Sequence, residues 1–162
     1  MKILIIGSVG SGKSTFARKL GKILDTPVYE IDSIVHDDEK NVKRTNSEQQ
    51  AIIKRIDKKK DWIIEGTLRK NLDNLLSKAD KIIFLDIPVI VRRFRIFKRF
   101  IRQKLGIEKC NYKPSFKMLT NMYKWTRDFE REKVDFLERL GKCQERLIIV
   151  KDINSFVLDD IK

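Results

Sequence analysis

One eight-residue segment, GSVGSGKS at positions 7–14, sets the strongest limit on the fold of this chain. The segment matches the pattern GxxxxGK[ST] in full, follows the apolar run Lys2–Ile6, and opens a helical pattern over Ser14–Leu24. A strand, a glycine-rich turn and a helix in this order are typical of a phosphate-binding loop. Because the motif and both flanks agree, a chance Gly/Ser turn is disfavoured.

The residue types in this loop suit a bound nucleotide. Glycines allow successive backbone N–H groups to converge on phosphate oxygens at the N-terminus of the next helix. Lys13 can reach the β- and γ-phosphates, and the Ser14 hydroxyl can bind Mg²⁺. We therefore expect ATP and Mg²⁺ as cofactors. The predicted ATP-binding residues of the loop are Gly7, Ser8, Gly10, Ser11, Gly12, Lys13, Ser14 and Thr15.

Short apolar runs alternate with helical patterns along the rest of the chain. The strand candidates are Lys2–Ile6, Thr26–Ile31, Asp61–Glu65, Lys81–Asp86 and Arg146–Val150. Apolar runs without polar alternation are typical of strands buried on both faces, and strands that alternate with helices favour a parallel sheet. We predict an α/β P-loop NTPase fold, in which a five-stranded parallel sheet carries helices on both faces, as a single domain over residues 1–162.

The later helical patterns define a second part of the molecule. Pro88 precedes a long helix, and residues 116–140 form the last one. Between them residues 106–115 are polar, with Gly, Asn and Pro, and predict a loop. The apolar positions of the helices after Gly66 and Pro88 are Leu68, Leu72, Leu75 and Leu76, then Val91, Phe94, Phe97 and Ile101.

Lysine and arginine outnumber aspartate and glutamate by 36 to 23, which gives a formal charge of +13. Such an excess favours polyanionic partners such as nucleotides, nucleic acid or acidic lipid, without choosing between them. Seven of these cations lie within residues 92–104, where no acidic residue occurs. Because like charges on one helix repel each other, we expect an anion to bind nearby.

The remaining composition limits the setting of the protein. No apolar run is long enough to span a membrane, and residues 2–7 lack the features of a signal peptide. Cys110 and Cys143 show no zinc-binding spacing, so free thiols in a reducing compartment are favoured. We expect a cytoplasmic protein without a membrane partner. The oligomeric state stays open.

Several segments resemble the adenylate-kinase-like branch of P-loop kinases, the nucleoside monophosphate kinases. Asp32 follows the second strand, and DWIIEGTLR at 61–69 is similar to the family pattern of a strand, an acidic residue, Gly, two residues and Arg. Glu65 stands where the family usually has Asp. The resemblance implies that Asp32, Glu65, Gly66 and Arg69 bind the acceptor. It also implies that Glu65 shares the metal with Ser14.

The same resemblance implies roles for arginines on the two late helices. KIIFLDIP at 81–88 resembles the family's fourth strand, which is followed by two arginines that enter the lid. The resemblance thus implies a basic helical lid at about residues 98–118. Arg95 would lie on the adenine side of ATP, and Arg99 would lie on its phosphates. Arg127 and Arg131 would reach the transferring phosphoryl group from the last helix. The predicted catalytic residues are therefore Lys13, Arg99, Arg127 and Arg131.

Taken over most of its length, the chain is most similar to the DNA topology modulation proteins, which are related to adenylate kinase. The features that carry this likeness are the phosphate loop, PVYEID, DWIIEG, FLDIP, Trp125 and RLIIV. They imply transfer of the γ-phosphate of ATP to a small acceptor, in the first place a nucleotide or nucleoside. Two alternatives stay open: a kinase of a non-nucleotide metabolite, and a nucleic-acid-binding protein that ATP switches.

Overall fold

The computed structural model describes residues 1–37, 40, 42–108 and 114–158. The strands are β1 (Lys2–Gly7), β2 (Val28–Glu30), β3 (His36–Asp37), β4 (Val42–Lys43), β5 (Trp62–Gly66), β6 (Lys81–Leu85) and β7 (Leu147–Val150). The helices are α1 (Lys13–Ile23), α2 (Ile31–Val35), α3 (Asn46–Asp57), α4 (Asn74–Lys78), α5 (Val89–Lys104) and α6 (Phe116–Gly141).

Five strands form one parallel sheet in the order β2-β5-β1-β6-β7, and β3 and β4 form a separate antiparallel pair. The predicted α/β fold and its five-stranded parallel sheet are confirmed. Strand β1 lies at the centre, where Ile5 is opposite both Glu65 of β5 and Ile83 of β6. Because parallel strands end at one edge, the phosphate loop, Glu65 and Asp86 meet there.

Both faces of the sheet are covered by helices, as predicted. Successive residues of one apolar run point to opposite faces, so β1 supplies both cores. Leu4 and Ile6 join the core that α2, α3, α4 and α6 cover, whereas Ile3 and Ile5 pack with the buried side chains of α1. All four side chains are fully buried, which explains why the run lacks polar alternation.

The predicted leucine helix is only partly correct. A 3₁₀ turn at Lys70–Leu72 precedes the short helix α4, so the stripe from Leu68 to Leu76 is not one continuous helix. The leucines nevertheless enter the core beside α3. Their burial follows the predicted spacing, although Arg69 has extended dihedral angles and separates Leu68 from the helical residues that follow.

The predicted apolar face of α5 is wrong. Val91, Phe94, Phe97 and Ile101 are exposed, and α5 instead buries Arg92, Ile96, Phe100 and Gln103. Ile96 and Phe100 pack against Leu119, Met122 and Tyr123 of α6. A pattern that assumes arginine to be exposed cannot find this face, because Arg92 occupies a buried position on it.

The predicted lid at 98–118 overlaps both late helices. Residues 98–104 complete α5, residues 116–118 begin α6, and the segment 109–113, which includes Cys110, lies outside the described residues. Cys143 is a free thiol. Within the described residues, no helix is both long enough and apolar enough to cross a membrane.

Candidate active site

The loop between β1 and α1 has a shape that requires glycine at two positions. Gly10 and Gly12 have left-handed φ angles of 76° and 95°. A Cβ atom at Gly10 would also lie 2.8 Å from the carbonyl oxygen of Arg92 and 2.9 Å from Cγ1 of Ile96. The loop therefore turns sharply and touches α5, which a residue with a side chain would prevent.

The polar side chains of the loop are arranged to receive an anion. The amine of Lys13 folds back and donates a hydrogen bond of 2.8 Å to the carbonyl oxygen of Ser8. Ser8 and Ser11 are buried, yet their hydroxyls have no hydrogen-bond partner within the described residues. Buried hydroxyls normally find a partner. Phosphate oxygens would supply acceptors for both hydroxyls, so the loop fits the group that its sequence predicts.

The charge of Lys13 depends on its acidic neighbours. Withdrawal from water lowers the pKa of its amine, while the negative charges of Glu65 and Asp32 raise it in part. The guanidinium of Arg92 lowers this pKa further. A bound triphosphate would add negative charge and would therefore favour the protonated amine.

Glu65 lies where β5 ends beside the loop, and it is only 3% exposed. Burial raises the pKa of its carboxyl group, whereas a hydrogen bond from the Ser14 hydroxyl and the charge of Lys13 lower it. The two residues predicted to hold Mg²⁺ are thus in contact. A hydroxyl and a carboxylate are oxygen ligands of the kind that Mg²⁺ prefers, and the ion usually takes its other ligands from phosphates and water.

The predicted acceptor residues lie beside this centre. Arg69 donates to Asp32 at 3.2 Å, and the side chain of Asp32 is 77% exposed. Gly66 permits close packing, since a Cβ there would lie 2.6 Å from Cβ of Ile31. Asp32 and Arg69 thus form an accessible pair of opposite charges. Asp32 is near enough to the loop for its negative charge to raise the pKa of Lys13.

Thr67 is a site residue that sequence reasoning missed. Its hydroxyl donates a hydrogen bond of 3.2 Å to the carbonyl oxygen of Gly7, the last residue of β1. This contact ties the segment after β5 to the start of the phosphate loop. In the sequence, Thr67 lies between Gly66 and Arg69, two predicted site residues, and this position could have identified it as a site residue.

Of the predicted lid arginines, Arg95 contacts the loop. Its Nη1 donates a hydrogen bond of 2.9 Å to the carbonyl oxygen of Ser11. Arg99 instead forms an ion pair with Glu108, at 3.2 Å. The structure therefore brings Arg95 to the phosphate loop, whereas the role of Arg99 on the phosphates stays a prediction.

The predicted arginines of α6 lie apart from the loop contacts described above. Arg127 lines an open cavity of about 400 Å³ between α5 and α6, together with Arg93, Tyr123 and Glu130. Arg131 is exposed. In the part of the chain that the structure describes, no hydrogen bond or ion pair joins either arginine to the phosphate loop, so their catalytic role also stays a prediction.

Arg92 on α5 is a second residue that the sequence analysis did not single out from the neighbouring cations. Arg92 is 2% exposed, donates 2.8 Å to the carbonyl oxygen of Ile87, pairs with Glu130 and lies over the ring of Phe129. Its Nη1 has no hydrogen-bond partner among the described residues. Arg92 thus joins the start of α5 to the middle of α6, close enough to Lys13 to affect its pKa.

Solved structures of P-loop kinases resemble this fold. A shikimate kinase from Acinetobacter baumannii in complex with shikimate has a TM-score of 0.57 and 15% identity, over 98% of this chain and 87% of that one. A shikimate kinase from Bacteroides thetaiotaomicron has a TM-score of 0.55 and 14% identity, over 98% of this chain and 90% of that one. At these identities the likeness shows the fold.

No protein-family model matches the chain, and no curated protein matches its sequence. The predicted fold class, an α/β P-loop NTPase fold, agrees with the solved structures. The narrower resemblance to DNA topology modulation proteins is untested by these matches and stays a prediction.

Proposed function

We propose that this protein is an ATP-dependent phosphotransferase that transfers the γ-phosphate of ATP to a small acceptor. One observation carries the proposal: the phosphate loop encloses the amine of Lys13 and two serine hydroxyls that lack partners in the described residues. Phosphoryl transfer is catalysed mainly by positioning and by neutralising charge, and the loop, Lys13 and Arg95 supply both.

The residues beside the loop fit a magnesium ion. Ser14 and Glu65 would hold it, and the bound ion would neutralise charge on the β- and γ-phosphates. A nearby cation would also favour the ionised carboxylate of Glu65, which burial otherwise disfavours. Lys13 and Arg95 are the other cations placed at the loop. The predicted additions are Arg99 from the lid and Arg127 and Arg131 from the last helix.

The accessible pair Asp32 and Arg69 supports an acceptor that carries a hydroxyl group beside an anionic group. The carboxylate of Asp32 can accept a hydrogen bond from the hydroxyl, and the guanidinium of Arg69 can bind a phosphate or carboxylate. A nucleotide or nucleoside is the first candidate, as the sequence resemblance implies. A small hydroxy acid is the second, since one matched structure holds shikimate.

The test is the rate of ADP formation with ATP and Mg²⁺, measured with a panel of nucleoside monophosphates, nucleosides and hydroxy acids. We expect one acceptor class to stimulate ADP formation. Asp32→Asn and Arg69→Met should raise the KM for that acceptor about tenfold or more, without a matching change in the KM for ATP. Asp135→Asn and Arg55→Met are matched controls at exposed positions.

Two results would count against this function. ADP formation that no small acceptor stimulates, but that DNA or RNA does, would favour the ATP-switched nucleic-acid-binding alternative, which the charge of +13 suggests. Equal loss in the Arg55→Met control would show that Arg69 has no special role in the acceptor site.

A further inference from the structure

Helix α5 exposes a continuous apolar stripe on the side away from its packed residues. The stripe consists of Ile90, Phe94, Phe97, Ile101 and Leu105, at intervals of four, three, four and four residues. These side chains are 78%, 65%, 47%, 40% and 67% exposed, respectively. At 1.5 Å per residue the stripe is about 22 Å long. We refer to these five residues as the α5 stripe.

The α5 stripe is unpartnered within the part of the chain that the structure describes. The ring contacts of this region join Phe100 to Phe116, and neither Phe94 nor Phe97 enters a ring–ring or cation–ring contact there. Isolated exposed apolar residues are ordinary, but a continuous row of large ones marks an interaction surface.

Cations flank the α5 stripe on both sides. At about 100° of rotation per residue, Arg93 and Lys104 lie along one border, and Lys98 and Arg102 lie along the other. All four side chains are exposed. Among the described residues, Glu108 pairs with Arg99 and Arg102, and Glu130 pairs with Arg92 and lines a cavity with Arg93, so the cations still outnumber the acids near α5. The surface therefore combines an apolar centre with a strongly positive border.

We propose that the α5 stripe docks on an anionic phospholipid surface, with α5 parallel to the membrane plane. Apolar side chains would enter the boundary between headgroups and acyl chains, and the flanking cations would bind lipid phosphates. Long basic side chains suit this arrangement, because their stems can follow the apolar surface while their charges reach the headgroups.

The charge pattern argues against the other occupants. A second copy of the chain would bring the same cations together, and like charges across an interface oppose association. Nucleic acid would satisfy the cations but not the aliphatic side chains Ile90, Ile101 and Leu105, which offer bases no aromatic face. The stripe lies along one exposed helix, which suits a planar lipid surface.

This docking differs from membrane spanning and leaves the phosphate loop accessible. The expectation that no membrane partner exists rested on the lack of a spanning segment, which does not address a helix that lies on the surface. Arg95, which contacts the loop, lies on another side of α5 than Phe94 and Phe97. The proposal therefore stands apart from the proposed kinase function.

The test measures co-sedimentation of the full chain with vesicles of phosphatidylcholine alone and of an equimolar mixture with phosphatidylglycerol. We expect the wild type to bind the mixed vesicles and not the neutral ones. The variant Phe94→Gln/Phe97→Gln, which keeps the net charge of the wild type, should bind mixed vesicles at least about tenfold less tightly. Ile23→Gln/Val134→Gln is the matched control, since both residues are exposed to similar degrees and lie outside the stripe. It should bind like the wild type.

Two results would overturn the proposal. One is equal binding of mixed vesicles by the wild type and Phe94→Gln/Phe97→Gln, which would show electrostatic attraction to the headgroups without a role for the stripe. The other is a wild type that does not bind mixed vesicles. If the wild type does not bind vesicles, analytical ultracentrifugation shows whether it forms a dimer. A dimer that Phe94→Gln/Phe97→Gln abolishes and the control variant keeps would assign the stripe to a second copy of the chain. Thermal melting of both double variants should match the wild type, because the changed positions are exposed.

Discussion

The phosphate-loop end of the sheet and the α5–α6 pair each bury a charged side chain, Glu65 and Arg92, but they treat apolar surface in opposite ways. At the loop, the buried carboxylate of Glu65 has a hydrogen bond and a cation beside it, and the apolar side chains of β1 and β5 are buried. In the α5–α6 pair, Arg92 is buried while the α5 stripe faces solvent. The first region fits the ligand that we propose for the loop, whereas the second leaves exposed the stripe on which the proposed docking depends.

The largest expected effect tests the loop. Lys13→Ala removes the amine that the loop encloses, so we expect phosphoryl transfer to fall by about 1,000-fold, as is usual when one preorganised charge is lost. Thermal melting should show that the fold persists, because the loop glycines and strands are unchanged. Lys19→Ala, an exposed position on the same helix, is the control. Transfer activity that survives in Lys13→Ala would contradict the mechanism.

The sheet and the loop were predictable because local sequence determines them. A short apolar run such as Lys2–Ile6 is typical of a strand buried on both faces, and the GxxxxGK[ST] motif directly after it is typical of a phosphate-binding loop. The contacts of Glu65 with Ser14 and of Arg95 with Ser11 join segments far apart in the chain. Sequence placed these residues at one site only through the family resemblance.

The packing of α5 was not predictable in the same way. The helix carries two apolar rows, one through Ile96 and Phe100 and one through Phe94 and Phe97. Which row becomes buried depends on α6 and on Gly10, whose missing side chain makes room for Ile96. The burial of Arg92 depends on Glu130 and on the carbonyl of Ile87. All of these partners lie outside α5, so the spacing of residues within the helix cannot predict which row they bury.

A pair of substitutions on α5 tests which row is buried. Ile96→Ala should lower the free energy of unfolding by about 2–4 kcal/mol, because it leaves a cavity against α6 and the loop. Phe94→Ala should change it by less than about 0.5 kcal/mol, since that ring is 65% exposed. Urea unfolding measures both values. A larger cost for Phe94→Ala than for Ile96→Ala would reverse the assignment of the two faces.

The contact between the loop and α5 can be tested with two glycines. Gly10→Ala should lower the free energy of unfolding by about 2–3 kcal/mol. Alanine is strained at the left-handed φ of this position, and its Cβ would clash with Arg92 and Ile96. Gly106 has a φ of 70° but nothing within 4 Å of the added atom. Gly106→Ala should therefore show only the strain, about 1 kcal/mol. Equal costs would mean that the loop and α5 are not in close contact.

The smallest effect concerns the pH dependence of stability at Glu65. Burial raises the pKa of this carboxyl group above its ordinary value of 4.5, so between the two values the folded state binds more protons than the unfolded state. The free energy of unfolding therefore falls as pH rises through that interval and stays reduced above it. Glu65→Gln cannot ionise and escapes this loss, although it should also weaken magnesium-dependent transfer.

We therefore expect the melting temperature of Glu65→Gln to equal that of the wild type well below pH 4.5 and to exceed it by a few degrees at neutral pH. Glu138→Gln, at an exposed position on α6, should show no such divergence. The measurement is thermal melting without nucleotide or Mg²⁺, because a bound cation would favour the ionised carboxylate. If the melting temperature of Glu65→Gln does not exceed that of the wild type at neutral pH, the surroundings stabilise the ionised carboxylate of Glu65. The energetic reason for placing a cation beside it would then be lost.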